Sequence, residues 1–189
     1  MSSPEHAETG KAPRQGCFVQ ALILVLGLAQ AEAGLEEIVL EPFAGNDQLD
    51  FVSRDHHGTH AVRIRSTMSM FLNSQVMALA ETLELAHPAA QCQLHLVGMT
   101  HPRLEKVKEI GAVRVRKREY DMEAMLEEAA AAIQEFSRNA GLPARTAEQS
   151  RATAANLASR LGDYLMERRV LERPALLELL KEGITKGCP

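Results

Sequence analysis

The sequence has no tryptophan, and aromatic residues make up only 4% of its 189 residues. It contains no glycine-rich phosphate loop, no Ser-His-Asp arrangement and no paired zinc-binding motif. Its three cysteines, Cys17, Cys92 and Cys188, lack metal-ligand spacing and cannot all pair in disulfides. These absences exclude the most easily recognised catalytic motifs and predict a reducing, cytoplasmic setting.

The charge and hydrophobic content are those of a globular domain. Hydrophobic residues make up 46% of the chain and charged residues 24%, which argues against disorder. The net charge of −4 argues against a protein that coats nucleic acid through general basicity, but it leaves a local basic patch open. The length fits one domain with a small appendage.

One long apolar run, from Cys17 to Ala31, could be a signal-peptide core, because it ends in the cleavage-like sequence AQA. It is shorter than the roughly 20 residues that a membrane-spanning helix needs. Gln20 interrupts it, and the preceding residues carry acidic as well as basic groups. These features favour a buried first helix from about Cys17 to Ala33, ended at Gly34.

Residue periodicity predicts a mixed α/β fold with a mixed sheet. Residues 1–15 are polar and predict a flexible tail. Asn73 or Ser74 could cap the second helix, and Asp121 could cap a later one. After the first helix, the predicted elements are strands Ile38–Glu41, Gln48–Arg54 and His60–Ser66, helix Phe71–Ala86, strand Gln93–Met99, helix Pro102–Ile110, strand Ala112–Arg118 and a helix from Asp121 to Asn139.

The last part of the chain predicts a helical pair. Thr146 and Gln149 have the spacing of a capping box for a helix that reaches about Leu171, and a final helix follows Pro174. The pair could cover the domain's own core or form a homo-oligomer contact through residues 146–187. The predicted division is a tail at 1–15, a core domain at 16–142 and a helical extension at 143–189.

Strand alternation sorts the residues of the strand His60–Ser66 onto two faces. Val62 and Ile64 should point to one face, and Ala61, Arg63 and Arg65 to the other. Two arginines on a half-buried strand are unusual, because a charge removed from water needs a partner or an anionic ligand.

The order helix, three antiparallel strands, helix, strand, helix, strand resembles the restriction-endonuclease-like, or PD-(D/E)XK, nuclease fold. More narrowly, GCFVQALILVLGLA, EIVLEPFAGNDQLDFV and GTHAVRIRST resemble the double-stranded-DNA endonuclease effector domain of bacterial cyclic-oligonucleotide anti-phage systems. The resemblance covers roughly residues 15–140. In that family an aspartate and a Gln/Glu oxygen bind magnesium, and a lysine positions the attacking water.

The resemblance places Glu41 and Asp50 at the family's acidic positions, but Arg63 stands at the Gln/Glu position and Arg65 at the lysine position. Arginine has no acceptor atom, so Arg63 cannot bind a metal. The sequence therefore predicts a catalytically degenerate nuclease-like module that binds DNA or a protein partner, with Asp50 neutralised by an arginine and no cofactor expected. The resemblance implies a role in anti-phage defence.

Two alternatives stay open. The first is an active magnesium-dependent endonuclease, with Asp50 as a metal ligand and a further carboxylate from Glu32, Glu36 or Glu37. The second is a structural protein that oligomerises. The expected partners are double-stranded DNA or a separate partner protein, because the resemblance implies a sensor domain that this chain is too short to hold. No membrane partner is expected.

Residues 103–118 contain seven basic and two acidic residues, a net charge of +5 within an acidic chain. Such a segment could follow a phosphate backbone, although no aromatic residues are interleaved with it. Basic residues on an edge strand could instead discourage edge-to-edge pairing. The candidate nucleic-acid-binding residues are Arg103, Lys106, Lys108, Arg114, Arg116 and Arg118.

A histidine cluster lies in the turn between the second and third strands. His56, His57 and His60, together with Asp55, could bind a transition metal, since imidazole suits zinc. A solvent-exposed hairpin turn also holds such polar residues without any ligand.

Overall fold

The computed structural model describes residues 11–30, 37–42, 48–166 and 173–186. The elements in chain order are α1 (Lys11–Gln30), β1 (Glu37–Pro42), β2 (Gln48–Asp55), β3 (Gly58–Ser66), α2 (Asn73–Ala86), β4 (Gln91–Val97), β5 (Glu109–Ile110), β6 (Val113–Arg118), α3 (Met122–Asn139), α4 (Ala147–Met166) and α5 (Arg173–Lys186). A single 3₁₀ turn, Pro102–Leu104, lies between β4 and β5.

The strands form one six-stranded mixed sheet in the order β1-β2-β3-β4-β6-β5. The pairs β1–β2 and β2–β3 are antiparallel, whereas β3, β4 and β6 run parallel. The predicted mixed α/β class is therefore confirmed. The short β5 pairs antiparallel with the start of β6, so β6 is not the edge strand that the sequence predicted.

The helix predicted at Pro102–Ile110 is wrong, because the backbone carbonyls of this segment bond elsewhere. The Lys117 Nζ donates to the carbonyl oxygens of Leu104, Glu105 and Val107 at 2.6, 2.7 and 2.7 Å. The Val115 N–H donates to a further carbonyl, that of Lys108, at 2.7 Å. These bonds hold the segment as a turn followed by a strand, and they outweigh the weak local preference for a helix.

The sheet separates two apolar layers, and the alternation predicted for β3 is confirmed. Val62 and Ile64 face a layer formed by α1, α3, α4 and α5, whereas Ala61 faces a layer that includes α2. Buried residues of the second layer on the neighbouring strands include Leu94, Leu96, Val113 and Val115.

The helix α1 is a core element. Val19, Leu22 and Leu24 are almost fully buried, and the helix packs against α3, α4 and β3. The interrupting Gln20 is 2% exposed, and its Nε2 has no hydrogen-bond partner among the described residues. Across the described ranges, none of the helices combines the length and apolarity that crossing a bilayer requires.

Two of the predicted helix caps are confirmed, and one is wrong. The Asp121 carboxylate accepts from the Ala124 N–H at 3.0 Å. Thr146 and Gln149 form the reciprocal capping box, with bonds of 3.0 and 3.1 Å. The cap predicted at Asn73 or Ser74 is wrong, because α2 begins after Leu72, whose N–H donates to the Gln75 side chain.

The two C-terminal helices belong to the same apolar layer as α1. Their buried residues in that layer are Ala154, Leu157, Ala158, Leu161, Leu179, Leu180 and Ile184. This packing gives the helices a role within the chain itself. A homo-oligomer contact through residues 146–187, and the division of the chain at residue 143, stay predictions.

Candidate functional site

The arginines of β3 face α2, where Arg63 has a structural role. Arg63 is 2% exposed, and its Nη1 donates to the Leu79 carbonyl oxygen at 3.1 Å and to the Thr82 Oγ1 at 2.6 Å. The strand register pairs Glu41 with Asp50 and Asp50 with Arg63. The side chains of Glu41 and Asp50 lie outside the described part, so the predicted neutralisation of Asp50 stays a prediction.

Two further features of the predicted motif are Arg65 and the carboxylate proposed to complete a magnesium site. Arg65 is half-buried and lies opposite Gln48 in the register. Glu37 is the first residue of β1 and lies opposite Arg54, but its side chain lies outside the described part. Glu32 and Glu36 lie outside it entirely. The structure thus describes no carboxylate that could complete a magnesium site beside Asp50, and such a site stays a prediction.

The histidine cluster is held by Asp55. One Asp55 oxygen accepts from the His57 N–H at 2.7 Å and the Gly58 N–H at 3.1 Å, and lies 3.3 Å from the His60 Nε2. The His57 bond holds the pKa of Asp55 below its ordinary value. Within the described ranges, no three histidine, cysteine, aspartate or glutamate side chains converge as a metal site. The geometry is that of a two-residue hairpin turn.

The carboxyl ends of the parallel strands β3, β4 and β6 meet at one edge of the sheet. Ligands of open α/β sheets bind at such an edge. The loops there are tied to one another: the Thr67 N–H donates to the Val97 carbonyl at 3.0 Å, and the Gly98 N–H to the Arg118 carbonyl at 2.9 Å. Gly98 has φ +140°, and a Cβ there would lie 2.4 Å from the Thr67 carbonyl oxygen, so only glycine fits.

A cavity of about 580 Å³ lies beside this edge, between β4, β6, α1 and α3. Register explains its polar lining, because His95 on β4 is the partner of Arg116 on β6, and Val97 is the partner of Arg118. We call it the cationic cavity, and its lining is Ile23, Leu26, Gly27, His95, Leu96, Val97, Arg116, Lys117, Arg118 and Glu128.

The cationic groups of this cavity differ in how they are held. The Arg118 Nη2 pairs with the Glu128 carboxylate at 2.6 Å, whereas the Lys117 side chain points to the other face of β6, where its ammonium is bound to three carbonyls. Arg116 is exposed, and it forms no ion pair or side-chain hydrogen bond with any described residue. Arg116 is therefore the arginine of this cavity that is available to an anion.

The ring of His95 is half-buried beside these arginines. Burial, and then the positive charges of Arg116 and Arg118, lower its pKa from 6.5 to about 4. The ring is therefore neutral near pH 7, with one nitrogen that donates and one that accepts. Its Nε2 lies 3.5 Å from the Gln93 Oε1.

A second cavity, of about 690 Å³, lies at the same end of β6. It shares Lys117 and Arg118 with the cationic cavity. We call it the methionine cavity, and its lining is Thr67, Met68, Met70, Gly98, Met99, Thr100, Pro102, Glu105, Lys117, Arg118, Glu119 and Tyr120.

The six predicted nucleic-acid-binding residues lie in two places in the structure. Arg114, Arg116 and Arg118 share one face of β6, because alternate residues of a strand point the same way, and two of them line the cationic cavity. The other three, Arg103, Lys106 and Lys108, are exposed on the turn segment beside β6.

The reasoning from sequence missed His95 and the methionines. The sequence marks His95 only as one of the alternating residues of β4. Its position beside Arg116 depends on the pairing of β4 with β6. Met68, Met70 and Met99 lie in loops, where periodicity carries no signal.

Comparison with solved structures found similar folds. A structure of the Acinetobacter baumannii Cap4 SAVED/CARF-domain containing receptor matches with TM-score 0.61 and 11% identity, over 91% of this chain and 46% of that chain. The same receptor with the cyclic trinucleotide 3'3'3'-cAAA gives TM-score 0.61 and 11% identity, over 91% and 47%. The Moraxella osloensis Cap4 receptor gives TM-score 0.55 and 12% identity, over 92% and 47%.

This chain therefore spans about half the length of these receptors, and the low identities show a shared fold alone. No family model matches the sequence, and no curated protein matches it either.

These findings contradict the predicted membership of the PD-(D/E)XK nuclease superfamily, because the structures that share the fold are described as SAVED/CARF-domain containing receptors. The prediction of a degenerate, DNA-binding nuclease module is wrong for the same reason. The order of helices and strands and a short, incomplete motif were misleading here, because one fold accommodates many sites. The predicted separate partner protein and the role in anti-phage defence stay predictions.

Proposed function

We propose that this chain is a signal-sensing domain that binds a cyclic oligonucleotide, with a phosphate of the ligand in the cationic cavity. The observation that carries the proposal is Arg116, an exposed arginine at a cavity mouth that no described residue pairs. The fold shared with receptors, one of them solved with 3'3'3'-cAAA, supports the choice of ligand.

The guanidinium of Arg116 suits a phosphodiester, because its planar donors match two phosphate oxygens. Arg118 is held by Glu128, which fixes its direction and leaves part of its donor set for a ligand. With the Nε2–H of neutral His95 directed to the Gln93 Oε1, the other ring nitrogen is an acceptor, which suits a ribose hydroxyl and not a phosphate oxygen. The site thus combines one available charge with directional hydrogen bonds.

The charge of the chain favours a small ligand over a long polyanion. The whole chain has a net charge of −4, so a long polymer that extends beyond the basic segment at residues 103–118 meets a chain of net negative charge. A cyclic oligonucleotide has only a few phosphates and needs few cationic contacts. Its binding should weaken with salt, but far less steeply than that of duplex DNA.

Calorimetric titration with 3'3'3'-cAAA tests the proposal. We expect the natural protein to bind and Arg116→Ala to bind roughly tenfold or more weakly, as for loss of a charge-assisted hydrogen bond. Arg138→Ala is the matched control, because Arg138 is exposed on α3 outside both cavities, and it should leave the affinity unchanged.

A second variant, Gly27→Leu, fills the cationic cavity without changing its charge. A Cβ at Gly27 meets nothing within 4 Å, so the helix accepts the substitution while the side chain occupies ligand space. We expect it to abolish binding. If the natural protein does not bind up to about 1 mM ligand, or if both variants bind as it does, the proposal is wrong.

A further inference from the structure

The methionine cavity carries exposed apolar side chains that the core does not use. Met68 is 71% exposed, Met99 62% and Met70 42%, and all three line the same cavity. Clustered exposed apolar groups of this kind mark binding surfaces more often than isolated ones do. Thioether side chains are polarisable and adapt to flat aromatic rings.

The methionine cavity differs in charge from the cationic cavity. Glu105 and Glu119 line it and offset the charge of Arg118, and the Lys117 ammonium is already bound to three carbonyl oxygens. Two carboxylates repel a phosphate, but they accept hydrogen bonds from the exocyclic amine of a base. The cavity is therefore suited to the uncharged part of a nucleotide.

Tyr120 supplies an aromatic ring at the same place. It is half-buried against the core at the end of β6, and burial raises its pKa. A ring held on one side by packing can offer its remaining surface to a base. The cavity volume of about 690 Å³ lies within the range of sites for ligands larger than a single nucleobase.

From these observations we infer that the methionine cavity holds an amine-bearing nucleobase of the ligand whose phosphate lies in the cationic cavity, with Arg118 between them. The inference rests on the proposed function. The two cavities share Arg118 at the end of β6, so neighbouring parts of one nucleotide can occupy both.

The test separates base binding from phosphate binding by comparing two probes, 3'3'3'-cAAA and inorganic phosphate. We expect Met99→Ala and Met68→Ala each to weaken 3'3'3'-cAAA binding roughly fivefold, the effect of losing a thioether contact with the base, without changing phosphate affinity. Arg116→Ala should weaken both probes. Met77→Ala is the matched control, because Met77 is 47% exposed on α2 but outside the cavity.

Tyrosine fluorescence gives a second readout, since the chain has two tyrosines and no tryptophan. In a Tyr164→Phe background, Tyr120 is the sole emitter, and 3'3'3'-cAAA should quench it while inorganic phosphate should not. If 3'3'3'-cAAA binds through Arg116 but neither methionine variant weakens it and Tyr120 is unchanged, this inference is wrong and the proposed function stands. If 3'3'3'-cAAA does not bind at all, both are wrong.

Discussion

Two strands of this sheet carry arginines at alternate positions, and the fold uses them differently. On β3, Arg63 is 2% exposed and donates to groups of α2. On β6, Arg116 is exposed at the mouth of the cationic cavity. Both strands have arginines at alternate positions, but the structural elements that cover those arginines differ between the two strands.

The difference shows what alternation can and cannot predict. Alternation assigns residues to a face, because successive side chains of a strand point to opposite sides. Burial depends on whether a helix covers that part of the face, and this is decided by contacts between distant parts of the chain. An arginine beneath a helix stabilises the fold, and one at a cavity margin is free to bind a ligand.

The largest effect should come from removing the buried arginine. We expect Arg63→Ala to lower the free energy of unfolding by about 3 kcal/mol, because it leaves a cavity and removes two charge-assisted hydrogen bonds. Urea denaturation measures this change. Arg63→Met keeps the apolar stem and should recover part of the loss, and a loss below about 1 kcal/mol for Arg63→Ala would contradict the structural role.

The second-largest effect should come from His95, which lines the cationic cavity, when the pH is lowered. The pKa of His95 is about 4 in the folded protein, below its ordinary 6.5. The unfolded chain therefore takes up a proton first as the pH falls, and the free energy of unfolding should drop by roughly 2 kcal/mol between about pH 7.5 and about pH 4.5.

Urea denaturation at the two pH values measures this drop. His95→Gln should remove most of it, because glutamine does not titrate. His56→Gln, on the exposed hairpin turn, should retain it. Equal acid sensitivity in the natural protein and His95→Gln would show that other groups cause the drop.

A smaller effect should follow from removing one acceptor of Arg63. Thr82→Val takes away the Oγ1 that lies 2.6 Å from Arg63 Nη1, and we expect a loss of about 1 kcal/mol. Thr185→Val is the control, since among the described residues the Thr185 hydroxyl bonds only to carbonyl groups of its own helix. Thermal denaturation should rank the two variants in that order, and the reverse order would contradict the role of Thr82.

The smallest effect should come from the exposed arginine. Arg116→Ala should change the free energy of unfolding by less than about 0.5 kcal/mol, because exposed side chains without partners contribute little to stability. Urea denaturation beside Arg63→Ala makes the comparison direct. A loss as large as that of Arg63→Ala would mean that Arg116 is a structural residue too.

Local signals predicted much of the fold. The Asp121 cap, the Thr146–Gln149 capping box and the two faces of β3 each depend on residues close in sequence, and the structure has all of them. The helix predicted at Pro102–Ile110 failed because Lys117, which lies beyond it in the chain, binds its carbonyl groups.

Only part of the candidate site could be predicted from the sequence. Arg116 and Arg118 were singled out by their charge, but the cavity that they line exists because α1 and α3 meet β4 and β6. The nuclease assignment depended on a short motif at β2 and β3, whereas the described cavities lie at the ends of β3, β4 and β6. No pattern within a single strand contains that information.

The most direct measurement is calorimetric titration of 3'3'3'-cAAA into the natural protein and Arg116→Ala, after urea denaturation has shown that the two are equally stable. The account predicts binding by the natural protein and an affinity at least about tenfold weaker for the variant. No binding by the natural protein, or equal affinities for the two, would contradict it.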